Sequence, residues 1–125
     1  MNFVTATYTN AWAETTGYLD VKDPWISMAK TYGQIILNNN LKHRLDLMKK
    51  MIKTYSVDGM VMHSTRSCKP YSVGQFDLRK AITADLDLPA VILDADIADE
   101  RVWSEQQIHT RLEAFCETLE GSKFG

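Results

Sequence analysis

Apolar residues along this chain recur at two periods, every second position or every third to fourth, and the recurrences are separated by short runs apolar throughout. Residues 3–8, Phe-Val-Thr-Ala-Thr-Tyr, are rich in β-branched and aromatic side chains and predict a strand. Residues 10–20, with Thr15, Thr16 and Gly17, predict a loop. Asp23 and Pro24 form a helix start, with Asp at the N-cap and Pro at the first helical position. Trp25, Met28, Ala29, Tyr32, Ile35 and Ile36 then recur at helical spacing. Three asparagines at 38–40 break the pattern. Leu41, Leu45, Met48 and Ile52 mark one face of a second helix, with Lys42, Arg44, Lys49, Lys50 and Lys53 mostly off it. Asp58-Gly59 turns the chain into a second strand over about 59–63. A third helix is predicted over 72–86, with Val73, Phe76, Ile82 and Leu86 inward and Leu88-Pro89 as its break. Residues 90–93, Ala-Val-Ile-Leu, read as a strand buried on both faces. An acidic loop covers 94–99. Ser104-Glu-Gln-Gln107 resembles a capping box, and Ile108, Leu112, Phe115 and Leu119 set a last helix against the sheet, ended by Gly121.

The order β-α-α-β-α-β-α predicts an α/β fold. It is expected to be one three-layer, Rossmann-like domain over 1–125, with a small parallel sheet and helices on both faces. In such sheets sites collect beyond the carboxyl ends of the strands. Three segments converge there: 9–16, 64–71 and 94–99. That edge is the predicted site.

Charge removes several function classes. With 14 basic and 16 acidic residues the net charge is −2, so neither nucleic acid nor an anionic membrane is an expected partner. No apolar run approaches the roughly 18–20 residues that span a bilayer. The amino-terminal residues lack the basic start and apolar core of a signal peptide. Two cysteines are too few for a disulfide framework, so a reducing cytoplasm is expected.

The candidate chemistry centres on Cys68, in the loop where the second strand hands over to a helix. Arg66 and Lys69 flank it, and cations and a helix start favour thiolate over thiol. A thiolate there is a nucleophile or a metal ligand; the plainer alternative is a small buried hydrophobe. Cys116 lies beside Phe115 in the last helix and reads as core. An iron–sulfur cluster takes three or four ligands, and these two cysteines lack such spacing, so the chain alone cannot complete one. His63 is either a base or a structural histidine. His43 and His109 read as exposed helical residues. Asp94, Asp96 and Asp99 resemble a magnesium site, but a solvated loop or helix cap explains them as well. Gly74 stands alone, so no phosphate-binding fingerprint exists. Tyr8, Trp12 and Tyr18 line a pocket or pack.

Residues 58–79 read Asp-Gly-Met-Val-Met-His-Ser-Thr-Arg-Ser-Cys-Lys-Pro-Tyr-Ser-Val-Gly-Gln-Phe-Asp-Leu-Arg. This stretch closely resembles the catalytic component of the 2-hydroxyacyl-CoA dehydratases and the related ATP-dependent benzoyl-CoA reductases. Residues 89–96, Pro-Ala-Val-Ile-Leu-Asp-Ala-Asp, then Arg101, Glu105 and Thr110-Arg-Leu-Glu-Ala-Phe115, fit the same family in order and spacing. The pieces match the C-terminal domain of a family subunit. The resemblance implies a [4Fe–4S] cluster with Cys68 as one ligand and companion ligands in a preceding domain of a full-length subunit. It also implies a fragment, a truncated product or a separately encoded piece. Its partners would be the rest of the subunit or a partner subunit, and an ATP-hydrolysing activator. That activator supplies one low-potential electron, which makes a ketyl radical of an acyl-CoA thioester. Around the cluster, Ser64, Ser67 and loop amides are expected to hydrogen-bond sulfur, and Arg66 and Lys69 to offset negative charge. Two other readings stand beside this one. One is a non-catalytic interaction domain packing against a partner subunit; the other is a thiol enzyme using Cys68 with His63.

Overall fold

The computed structural model describes residues 1–7 and 15–123. They fall into two compact units, Asn2–Tyr55 and Ser56–Gly125, the latter joined by Met1.

In the first unit, α1 spans Pro24–Gly33 and starts as expected. The Asp23 carboxylate accepts the Ile26 amide at 3.4 Å, and Pro24 has no amide to satisfy. The face it buries is not the expected one. Ser27 and Thr31 are buried, whereas Trp25, Met28 and Tyr32 are exposed. The buried hydroxyls are already paired: Ser27 Oγ donates to the Asp20 and Pro24 carbonyls at 3.1 Å, and Thr31 Oγ1 to Ser27 O at 2.9 Å. Polar groups satisfied in this way are buried at little cost.

The predicted first strand is absent over residues 3–6, which carry no regular structure; Tyr8 lies outside the described residues. Phe3 and Val4 are exposed, and among the described residues no strand pairs with them. Strand propensity without a pairing partner does not hold a strand.

Each asparagine of 38–40 has its own bond. Asn38 Nδ2 donates to Tyr32 O and Asn39 Nδ2 to Gly33 O, both at 2.8 Å, so the end of α1 is capped from beyond. Asn40 Oδ1 accepts the His43 amide at 3.0 Å and caps α2, Leu41–Thr54. Arg44 is not on the solvent face: it and Met51 are the buried residues of α2. Its Nε donates to Ile36 O at 3.0 Å and Asn39 O at 3.2 Å, and its Nη2 to Leu37 O at 3.3 Å. The guanidinium thus gathers two carbonyls of the single turn Ile36–Asn38 and that of Asn39, which follows it. Arg44→Met keeps the apolar stem and removes the donors. It is expected to cost about 1–3 kcal/mol. Urea unfolding followed by circular dichroism checks this, and a loss under about 0.5 kcal/mol, the surface-substitution range, would contradict it.

The second unit holds two parallel strands, β1 over Met60–Thr65 and β2 over Ala90–Ala95, in register from Met60 opposite Ala90 to Thr65 opposite Ala95. Both strands were legible, and each runs two residues further than expected. The Met60 amide donates to Pro89 O at 2.9 Å, so Met60, Met62 and Ser64 turn their backbone groups toward β2. Val61, His63 and Thr65 then face the outer edge. Side chains cover carbonyls on both edges: Gln75 Nε2 donates to His63 O at 2.7 Å, and Arg111 Nη1 to Ile92 O at 3.1 Å.

The predicted third helix is two pieces. α3 is the single turn Lys69–Ser72, and α4 spans Gln75–Leu86. Gly74 between them has φ of 82°, left-handed backbone that glycine adopts without a Cβ penalty. Ile82 and Leu86 face inward as expected, buried and half-buried. Gln75, Leu78 and Ile82 are buried, while Val73 and Phe76, expected inward, are exposed. α5 spans Glu105–Lys123 and passes through Gly121 rather than ending there. Its inward face is as expected, with Phe115 buried and Ile108, Leu112 and Leu119 half-buried. Both α4 and α5 pack on β2. Adjacent strand residues Ile92 and Leu93 point to opposite faces and both are buried, so β2 is covered on both sides. This is an α/β fold with a small parallel sheet. Among the described residues no helix is long and apolar enough to cross a membrane.

Candidate functional site

Beyond the carboxyl ends of β1 and β2 the chain makes two loops, 66–68 and 96–99, and one carboxylate joins them. Asp96 Oδ2 accepts the Ser67 amide at 2.6 Å, and Oδ1 accepts the Ser67 hydroxyl at 2.9 Å. The Ala98 amide donates to the same Oδ1 at 2.9 Å, closing an Asx-type turn. These donors, the Ala98 amide first and then the Ser67 hydroxyl, hold the Asp96 carboxyl below its ordinary value of 3.8.

Cys68 comes directly after Ser67. It is a free, half-buried thiol at the position preceding α3. Its amide donates to Thr65 O at 3.1 Å. Ser72 Oγ donates to Cys68 O at 2.9 Å and makes a short bond to Thr65 O. The cysteine backbone is therefore held from both sides, by Ser67 before it and Ser72 after it. The helix expected to begin at Ser72 begins at Gln75, and a single helical turn comes between it and the thiol.

The other candidates take these places. Ser64 is half-buried on β1 opposite Asp94, on the strand rather than in the loop. Arg66 and Lys69 are exposed on either side of the loop. His63 Nδ1 lies 3.3 Å from Thr65 Oγ1, two residues along the same strand face. Among the described residues no hydrogen bond joins His63 to Cys68. Asp99 caps the turn Glu100–Val102, accepting the Arg101 amide at 3.1 Å, and pairs with the Arg101 side chain at 2.7 and 2.8 Å. That guanidinium, and then the Arg101 amide, hold its carboxyl below the usual range. Asp96 and Asp99 thus act as turn caps, the plainer of their two expected roles. Cys116 is half-buried on α5 beside the buried Phe115. Tyr8 and Trp12 lie outside the described residues, and Tyr18 is exposed. Segment 9–16, the third expected contributor, lies mostly outside the described residues and belongs to the first unit.

Sequence reading did not single out Ser72 or Gln75. A serine four residues after Cys68, in the next helical turn, was the available signal, because serine hydroxyls bond back to the carbonyl four residues before. For Gln75 nothing in the local pattern pointed to a strand carbonyl.

Fold and loop together define a class: an α/β domain that presents a single cysteine at the carboxyl edge of a parallel sheet. Residues 1–119 match the family described as 2-hydroxyglutaryl-CoA dehydratase, D-component, and the chain belongs to that family. It is 29% identical over 106 residues to a benzoyl-CoA reductase subunit of Thauera aromatica, covering 85% of this chain and 24% of that protein. It is 34% identical over 96 residues to the alpha subunit of lactoyl-CoA dehydratase of Anaerotignum propionicum, covering 77% and 23%. It is 26% identical over 123 residues to the (R)-2-hydroxyisocaproyl-CoA dehydratase alpha subunit of Clostridioides difficile, covering 98% and 29%. The chain therefore spans about a quarter of the length of these relatives.

Proposed function

We propose that this chain is the part of a 2-hydroxyacyl-CoA dehydratase or benzoyl-CoA reductase subunit that supplies one cysteine ligand, Cys68, to a [4Fe–4S] cluster. The observation that carries the reading is the Cys68 loop itself. In a chain whose residues 1–119 match the family, this loop presents one thiol beyond β1 with its backbone pinned through Ser67 and Ser72. The donor set fits one ligand of several. Cys116 is on α5, and among the described residues no group of three or more histidine, cysteine, aspartate or glutamate side chains converges. A cluster needs three or four thiolates. The others are assigned to polypeptide corresponding to the remaining length of the relatives, in the same subunit or a partner.

When bound, the cluster supplies one-electron chemistry toward the thioester carbonyl of an acyl-CoA, with the electron coming from an ATP-dependent activator. This chain contributes position and charge. Exposed Arg66 and Lys69, on either side of Cys68, offset anionic charge. Of the two hydroxyls expected to bond sulfur, that of Ser64 is carried by β1, and the Ser67 hydroxyl proton is directed at Asp96. A reducing, cytoplasmic setting belongs to this reading, because a cluster-ligating cysteine must stay a thiolate.

Anaerobic reconstitution with iron and sulfide tests the assignment. The isolated 125-residue chain is expected to show no stoichiometric cluster absorption. Assembly with the polypeptide matching the rest of its relatives is expected to restore it. A stoichiometric cluster in the isolated chain would overturn the assignment of the missing ligands.

A further inference from the structure

We propose that Asp96 is a positioning residue whose carboxylate, by tying the loop after β1 to the loop after β2 through Ser67, sets where the Cys68 thiol stands; this rests on the reading of Cys68 as a cluster ligand. The geometry is specific. Ser67 and Asp96 are 29 residues apart in sequence and meet through two bonds, one from the amide at 2.6 Å and one from the hydroxyl at 2.9 Å. A single bond leaves a loop free to swivel about it; two bonds to both oxygens of one carboxylate fix its orientation. The Ala98 amide in turn orients the carboxylate, at 2.9 Å from Oδ1. Asp96 comes directly after β2, so the tie runs from the covered strand to the residue before the cysteine.

The remaining freedom of Cys68 is taken from the other side by Ser72, which donates to its carbonyl at 2.9 Å. Anchors on both sides of one residue fix its backbone and leave the thiol only the rotation about Cα–Cβ. The arrangement also gives Ser67 a role that needs no contact with a cluster. Its hydroxyl acts through Asp96 on the position of its neighbour. Ser67→Ala and Asp96→Asn should therefore resemble each other, although only the second changes charge.

The test is made on the metal-free chain in a Cys116→Ser background, with backbone amide order measured by nitrogen-15 relaxation. In the parent, residues 66–68 should have order typical of rigid backbone, about 0.85. Asp96→Ala should drop these residues below about 0.6, the flexible range, while α4 and α5 keep their order. Ser67→Ala, which retains one of the two bonds, should fall between, and Ser67→Thr, which restores a hydroxyl, should return to the parent value. Unchanged order at 66–68 in both Asp96→Ala and Ser67→Ala would overturn the inference. So would a loss of order spread evenly over 56–123, which would make Asp96 a general stabiliser. Because the test uses metal-free protein, these outcomes are independent of whether Cys68 binds a cluster, which is read separately from iron content.

Discussion

Gly59→Ala is expected to lower the stability of the second unit by about 1–3 kcal/mol, the usual cost of forcing atoms into a packed site. The residue before β1 runs directly beneath α5. A Cβ at 59 would stand 2.9 Å from Phe115 Cζ and 3.3 Å from the Pro89 carbonyl, and closer still to a Leu119 methyl. The leucine methyl can rotate away. The other two cannot yield so easily. Phe115 is 6% exposed, and Pro89 O accepts the Met60 amide that opens the β1–β2 ladder. Relief must come from moving α5 off the sheet or from breaking that first ladder bond. For a unit of this size each kcal/mol corresponds to about 4–8 °C in Tm. Calorimetry should therefore show a fall of roughly 5–20 °C for Ala, and a larger one for Val. A Tm within about 2 °C of the parent would mean that the helix seat is not tight.

The parallel pair and its loops were legible because their signals are local. Val61 and Met62, and Val91 to Leu93, are short apolar runs bounded by Asp58-Gly59 and Leu88-Pro89, and such runs between helical patterns have few other solutions. The last helix was legible for the same reason, since Phe115 and Leu119 keep one phase over several turns. Faces that depend on tertiary partners were not legible. Arg44 is one cation among five on a polar face by its spacing, but the carbonyls of Ile36, Leu37 and Asn39 draw it inward. Ser27 and Thr31 are buried in place of Trp25 and Tyr32, because their hydroxyls find carbonyls inside their own helix and just before it. Phe76 lies six residues before Ile82 on α4, about 120° around the helix from it, and so misses the buried face. At the candidate site, the loop that carries Cys68 was legible from its place after an apolar strand. The bond from Ser67 to Asp96 was not, because a contact spanning 29 residues has no periodicity to betray it.

Cys68→Ala in the assembled protein is expected to cost most of the iron. Replacing a residue that merely supports a metal ligand typically costs about 10–100-fold in affinity, and removing the ligand itself should cost at least as much. The substitution should leave the fold intact. Cys68 is half-buried in a loop, its backbone bonds to Thr65 and Ser72 do not involve the thiol, and Ala keeps the Cβ. Cys116→Ser is the matching control. Cys116 sits on α5 beside Phe115, away from the loop elements that carry Cys68, and its replacement should lower stability slightly without changing iron content.

The most direct measurement is iron content together with the electron paramagnetic resonance spectrum of the reduced assembly, compared among parent, Cys68→Ala and Cys116→Ser. Full iron and the same cluster signal are expected in the parent and in Cys116→Ser, and loss of both in Cys68→Ala. An assembly that keeps its iron and its signal when Cys68 is alanine would contradict the assignment of Cys68 as a cluster ligand.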